Sequence, residues 1–91
     1  MRLQAFCYVQ KGVVDTIKAL AERSNGKLVN KPLEVADKSI FSDPKFKVVN
    51  GAEFVSMEFV FDNMFDANQF IYQSFMRCGY YIFIENLIFI N

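Results

Sequence analysis

Residues 45–61, KFKVVNGAEFVSMEFVF, place an Asn-Gly dipeptide between two runs rich in valine and phenylalanine. Asn50-Gly51 is the preferred sequence of a two-residue type I′ hairpin turn, because both central residues of that turn need a positive φ. A turn of this length fixes the strand register, so Val49 faces Ala52 and each further pair moves one residue outward. The segment therefore predicts an antiparallel β-hairpin.

This register divides the side chains of the hairpin between two faces. One face collects large apolar residues and is predicted to lie on the core: Phe46, Val48, Val55, Met57, Phe59 and Phe61. The other face is mixed and consists of Lys45, Lys47, Val49, Phe54, Ser56, Glu58 and Val60. We expect this mixed face to contact solvent or a binding partner.

A strand and a helix are predicted before the hairpin. Apolar residues alternate along the first strand: Leu3, Ala5, Cys7 and Val9. A helical spacing follows in Val13, Ile17, Leu20 and Ala21. That helix is expected to run to about Ser24, since Asn25-Gly26 suits a left-handed helix end.

The segment 27–44 has a weaker pattern. Leu28, Val29, Leu33 and Val35 could form an extended edge segment. Pro32 restricts such a segment to an edge because proline cannot donate to the ladder. Residues 36–44 are expected to be a loop.

A second helix and a last strand are predicted after the hairpin. Asp62 or Asn63 can cap the helix, which should end at Gly79. Its predicted buried stripe is Met64, Ala67, Ile71, Phe75 and Cys78, and Phe65, Phe70, Tyr72 and Met76 widen the apolar surface. The nearly continuous apolar run 80–90 predicts a strand buried on both faces, or a short hairpin that turns at Glu85-Asn86.

The element order is strand, helix, strand, strand, helix, strand. This order predicts an α+β fold, the ferredoxin-like βαββαβ plait, with two helices on one face of an antiparallel sheet. The length of 91 residues fits a single domain, residues 1–91.

The composition favours binding over catalysis. Apolar residues make up 53% of the chain and include 11 Phe, so some apolar surface is expected to stay exposed as an interaction site. The formal net charge of zero provides no general attraction to nucleic acid or membranes. The abundance of residues with AT-rich codons, such as Phe, Ile, Asn, Lys and Tyr, hints at a viral genome.

Two features point to a cytoplasmic protein, in the host cytoplasm if the chain is viral. Cys7 and Cys78 lie in apolar surroundings and are interpreted as buried reduced thiols. The N-terminus has no signal-peptide pattern, and the longest apolar stretch is too short to span a membrane.

Catalytic chemistry is not expected. The chain contains no histidine, which removes the usual general base and most zinc sites. Asp62 and Asp66 are explained better by helix capping and the helix dipole than by a metal site. We therefore expect no catalytic residue, no cofactor and no metal.

One enzyme family deserves comparison on this fold. The segment 8–14, YVQKGVV, resembles the Val-Gln-Gly-Val loop of acylphosphatases, and Asn30 falls near the asparagine of their adjacent strand. That family binds phosphate through an arginine just after the loop, where this chain has Asp15 and Thr16. Because Asp15 would repel a phosphate, this activity is excluded.

A second resemblance concerns RNA-recognition motifs. The segment 51–57, GAEFVSM, resembles their third-strand aromatic motif, and the segment 61–67, FDNMFDA, resembles the start of their second helix. The resemblance implies that aromatic side chains on the open sheet face stack on bases, with lysines beside them. The corresponding residues here are Phe6, Tyr8, Phe54, Lys45 and Lys47. The basic residue and two aromatics of that motif are absent, and Glu58 shares the face.

These patterns predict a small non-catalytic protein-interaction module that self-associates as a homo-oligomer or binds another protein. A virus-encoded inhibitor of a host protein is one form of this hypothesis. The predicted binding face is Phe6, Tyr8, Lys45, Lys47, Phe54 and Glu58. The alternative is single-stranded RNA or nucleotide binding through the same aromatics. A small regulatory ligand in a dimer groove is also compatible with the sequence.

Overall fold

Five strands and two α-helices form the protein in a computed structural model that describes residues 2–35, 38–44 and 53–90. The strands are β1 (Arg2–Gln10), β2 (Lys27–Leu28), β3 (Leu33–Glu34), β4 (Phe54–Phe61) and β5 (Ile82–Ile90). The helices are α1 (Val14–Arg23) and α2 (Met64–Cys78), and 3₁₀ turns lie at Lys11–Val13, Lys38–Ser42 and Gly79–Tyr81. The predicted turn at Asn50-Gly51 and the hairpin strand before it lie outside the described residues.

The strands form one antiparallel sheet in the order β2, β4, β1, β5, and β3 also pairs with β4. Ile17 and Leu20 of α1 pack with Ala67 and Phe70 of α2 on one face of this sheet. The predicted α+β plait is therefore confirmed, with β1 and β4 at its centre.

The core lies between β1, β4 and the two helices. Residues of one parity face it from both central strands, as in the pairs Ala5 with Phe59 and Cys7 with Met57. Phe59 and Phe61 are fully buried, and their rings lie 5.1 and 5.2 Å from the ring of Phe70. The predicted core face is thus correct for all of its β4 residues, Val55, Met57, Phe59 and Phe61.

The end of α1 follows the prediction. Asn25 has a φ of 60°, and the Gly26 N–H donates to the Ala21 carbonyl at 2.8 Å. Gly26 lies directly against the ring of Phe61, which leaves no room for a Cβ. Glycine is needed at position 26 for this close approach, and Asn25 is the residue that adopts the left-handed conformation.

The start of α2 is capped by Asn63, whose Oδ1 accepts from the Asp66 N–H at 2.8 Å. Its buried stripe consists of Ala67, Phe70, Ser74 and Cys78. The sequence-based stripe was wrong at Met64 and Phe75, which are exposed. Phe75 follows Ser74 by about 100° around the helix, which turns its ring away from the core.

The segment 27–44 contains two very short strands. β2 and β3 pair with successive parts of β4, and Pro32 lies in the connection between them. The predicted edge segment is therefore present but brief. Within the predicted loop, residues 38–42 form a 3₁₀ turn.

The last segment is one strand and not a hairpin. Phe6 pairs with Asn86 and Cys7 pairs with Ile84, so Glu85 is the extra residue of a β-bulge. The prediction that this strand is buried on both faces was wrong, because Phe89 is 60% exposed and Ile88 is also exposed. β5 lies at the edge of the sheet, where the helices cover it incompletely.

Candidate interaction surfaces

The open face of the sheet, opposite the helices, carries an aromatic cluster. Phe41, from the 3₁₀ turn, lies 5.9 Å from Tyr8 and 5.3 Å from Phe54 between ring centroids. Phe54 in turn lies 5.6 Å from Phe83 of β5. Phe54 is buried by these neighbours, although the sequence placed it on an accessible face. One end of the open face is therefore covered by the chain itself.

The remaining predicted binding residues are only partly brought together. Phe6 and Glu58 are paired across β1 and β4 and are half-buried. Glu58 Oε2 accepts from Gln4 Nε2 at 2.9 Å. Lys45 and Lys47 lie outside the described residues. The described part of this face thus combines aromatic rings with a carboxylate.

A cavity of about 270 Å³ opens on this face beside the bulge of β5. Phe6, Tyr8, Ser56 and Asn86 contribute to its lining, together with Glu85. The cavity offers ring faces, a hydroxyl and an amide, which suit a planar polar ligand better than an anion.

Sequence reasoning missed Phe41 and Phe83 as parts of the open face. Phe41 stands in a polar stretch bounded by Ser39, Ser42 and Asp43, and a large ring in such a stretch often anchors a loop to the domain. Phe83 was assigned to a fully buried strand, so its position opposite Tyr8 could not be recognised without the register.

Lys11 connects three strands at the same end of the sheet. Its Nζ lies 2.9 Å from Glu34 Oε1 and 3.0 Å from Glu53 Oε2, and its backbone N–H donates to the Glu53 carbonyl. Hydrogen bonds to Glu34 and then to Glu53 raise the pKa of the ammonium group. These groups are exposed, so the ion pairs orient the end of β1 more than they stabilise it.

The outer face of α2 is the most apolar exposed helical surface in the described chain. Four large side chains on it are between 58% and 70% exposed: Phe65, Tyr72, Phe75 and Met76. Phe65, Tyr72 and Met76 recur at seven and four residues, which places them along one line of the helix. Contiguous exposed apolar patches on a monomer usually mark interaction sites.

A groove of about 470 Å³ separates this face from the end of α1. Arg23 and Arg77 both line it, and neither forms an ion pair with a described residue. Asp66 lies in the same lining and lowers the local positive charge. The groove could accept a single carboxylate or phosphate group, but it shows no enclosed anion site.

The outer edge of β5 has no neighbouring strand within the described part of the chain. Its nine residues, IFIENLIFI, contain one charged side chain, Glu85, and no proline. Natural edge strands usually carry lysine, proline or a covering loop that prevents pairing with another strand. Within residues 2–35, 38–44 and 53–90, the bulge at Glu85 is the only such feature at this edge.

A smaller cavity of about 200 Å³ lies between α2 and β5. It is lined on the helix side by Ile71, Ser74 and Phe75 and on the strand side by Ile82 and Ile84, with Phe83 also contributing. The Ser74 hydroxyl is buried and has no hydrogen-bond partner among the described residues. The cavity is therefore apolar, with one unsatisfied hydroxyl.

The two cysteines are free and buried. Burial raises the pKa of the Cys7 thiol to about 12, and burial also raises the pKa of Cys78. Because the thiolate is the reactive form, neither side chain is prepared for nucleophilic chemistry.

No known protein family matches the chain, and no curated protein is significantly similar to it. No helix in the described ranges is both long enough and apolar enough to cross a membrane.

Proposed function

We propose that the protein is a small non-catalytic protein-interaction module that self-associates through the outer edge of β5. The observation that carries this proposal is the unprotected edge itself. Alternate residues of this nine-residue strand direct their backbone donors and acceptors to the outer side, and only one of the nine side chains is charged.

The physical basis is the backbone chemistry of a sheet edge. Unpaired N–H and C=O groups along a strand can be satisfied by a strand from another molecule, which extends the sheet. The exposed side chains of Ile88 and Phe89 would be buried in the same contact. Burial of apolar area contributes about 25 cal/mol per Å², so these residues add to the backbone pairing.

Two further properties agree with self-association. The formal net charge of zero means that two copies do not repel each other over a long range. Phe75 stands at the rim of the cavity beside β5, so an apolar part of α2 lies next to the same edge. A neighbouring molecule at this edge would therefore cover surface from both elements.

Light scattering of the eluting protein tests the proposal. The wild type should elute as a dimer or larger species, and Ile88→Lys should shift it towards the monomer because a charge would enter the joined edge. Val29→Lys is the matched control, since Val29 is similarly exposed but lies beside β2 at the opposite side of the sheet. A monomeric wild type, or equal dissociation by both variants, would contradict the proposal.

RNA or nucleotide binding is the second candidate, and the cavity beside Phe6 and Tyr8 is the observation that favours it. A base stacked on Phe6 could reach the Asn86 amide in the same lining. Stacking contributes about 1–3 kcal/mol per base. We rank this candidate lower because Phe41 covers the neighbouring rings and Glu58 lies on the face.

Fluorescence anisotropy with a labelled single-stranded RNA tests this candidate. Phe6→Ala should weaken binding at least about fivefold if the ring stacks on a base. Phe65→Ala, on the outer face of α2, is the control. Unchanged affinity in Phe6→Ala, or no binding by the wild type, would exclude RNA stacking at this site.

A further inference from the structure

The sequence of β5 is nearly the same when it is read from either end. The triplet Ile-Phe-Ile occupies both 82–84 and 88–90, and Asn86 is the central residue. Only the positions of Glu85 and Leu87 break the mirror relationship. Because both ends of the strand carry the same apolar triplet, an antiparallel pair of two copies places apolar side chains opposite apolar side chains at both ends.

The bulge shifts the pairs by one residue from the mirror positions. Since Glu85 is the extra residue, the residues that alternate regularly between the two sheet faces are 82–84 and then 86–90. A two-fold axis at Asn86 then pairs side chains that lie on the same face of the sheet. The remaining pairs are all apolar: Ile84 with Leu87, Phe83 with Ile88, and Ile82 with Phe89.

We infer that the partner at this edge is a second copy of the chain, whose β5 pairs antiparallel with the first about a two-fold axis at Asn86. This inference rests on the proposed function and specifies its partner and register. The two Asn86 side chains meet at the axis, where each amide supplies both donors and an acceptor to the other. The sheets of the two copies become one continuous antiparallel sheet.

The cavity beside β5 supports this register independently. Ile82 forms part of its lining, and Phe89 points to the helix side of the sheet, since it pairs with the buried Leu3. In the proposed register the partner's Phe89 lies opposite Ile82 and enters this cavity. An apolar cavity of about 150 Å³ can hold a benzene-sized group, so the observed 200 Å³ accommodates a phenyl ring.

Symmetry makes this contact occur twice. Each copy inserts Phe89 into the cavity of the other, which buries a ring that is 60% exposed in the monomer. Glu85 sits at the bulge and is exposed, so its carboxylate stays in solvent, where salt screens the repulsion between the two copies. The arrangement therefore leaves no charged side chain between paired strands.

Disulfide trapping tests the register. Directly opposed residues of antiparallel strands have Cα atoms about 4.5–5.5 Å apart, within the range that a disulfide spans. Asn86→Cys should therefore give a cross-linked dimer on mild oxidation, detected by mass spectrometry and reversed by reductant. Ile90→Cys is the matched control, because its two copies would lie more than about 20 Å apart at opposite ends of the paired strands. The wild type controls for the buried Cys7 and Cys78.

The outcomes separate this inference from the proposed function. A dimer in light scattering that cross-links through Ile90→Cys, or fails to cross-link through Asn86→Cys, overturns the register while self-association stands. A monomer overturns both. Phe89→Ala provides a second test that needs no new cysteine: it should weaken dimerisation about tenfold or more. Phe65→Ala should leave the dissociation constant unchanged, and an equal loss in both variants would contradict the insertion of Phe89.

Discussion

The rings of Phe41 and Phe54 lie 5.3 Å apart, although Phe41 belongs to a short 3₁₀ turn and Phe54 begins a central strand. This contact fastens the segment 38–44 to the open face of the sheet. It also removes Phe54 from solvent and leaves Phe6 and Tyr8 as the half-buried rings on the open face of the central strands. The contact therefore determines how much of the open face is available for binding.

Replacing Phe41 with Ala should destabilise the protein by about 1–3 kcal/mol, because the substitution removes the contacts of a half-buried ring with Tyr8 and Phe54. Urea denaturation followed by circular dichroism measures the change. Phe65→Ala removes a ring that is 70% exposed and should cost less than about 0.5 kcal/mol. Equal losses in the two variants would show that Phe41 does not anchor the segment.

Replacing Asn63 with Ala should destabilise the protein by about 1 kcal/mol through loss of the helix cap. Asn63 accepts from the Asp66 N–H, and its own Nδ2 donates to Asp66 Oδ2 at 3.1 Å, so both bonds are lost. Asn68→Ala, at an exposed position within α2, should be neutral or slightly stabilising because alanine has the higher helix propensity. A free energy of unfolding that is unchanged in Asn63→Ala would argue against this cap.

Sequence patterns predicted the structure correctly where local chemistry decides it. The alternation in β1, the helix end at Asn25-Gly26 and a cap at Asn63 each depend on a few neighbouring residues. These features, with the element order, were sufficient to predict the plait.

Sequence patterns did not predict the features that depend on packing between distant segments. An apolar run such as 80–90 fits either a buried or an edge strand, and the choice depends on how far the helices extend over the sheet. The burial of Phe54 depends on Phe41, a residue that no periodic pattern identifies. The exposure of β5 and the burial of Phe54 therefore favour the edge of β5 over the open face as the candidate binding surface.

Replacing Gly26 with Ala should destabilise the protein by about 1–3 kcal/mol through overpacking. An added Cβ would collide with Cε1 of Phe61 and lie 2.9 Å from its Cζ. The Phe61 ring is fully buried against Phe70 and has little freedom to move away. Thermal unfolding of the variant gives the size of the effect.

Gly12→Ala is the control for this substitution. A Cβ at Gly12 would approach only the side-chain oxygen of Gln10, which is flexible and lies at an exposed turn. We expect a loss below about 1 kcal/mol there. If Gly26→Ala cost no more than Gly12→Ala, the close packing of Gly26 on Phe61 would be refuted.

The stability of the protein should fall with rising pH above about pH 9, in part because of Cys7. Burial raises the pKa of this thiol from 9.0 to about 12 in the folded state. Between these values the unfolded chain releases the proton and the folded chain keeps it. The free energy of unfolding therefore decreases by up to about 1.4 kcal/mol per pH unit and is unaffected by this group below pH 9.

Cys7→Ala removes this contribution and leaves every other ionisable side chain in place. Urea denaturation at about pH 8 and about pH 10.5 should show that the wild type loses more stability over this interval than Cys7→Ala does. The cavity left by the missing sulfur lowers the stability of the variant by the same amount at both pH values, so it cancels in the comparison. Parallel pH profiles for the two proteins would mean that the Cys7 thiol titrates in the folded state much as it does in the unfolded chain.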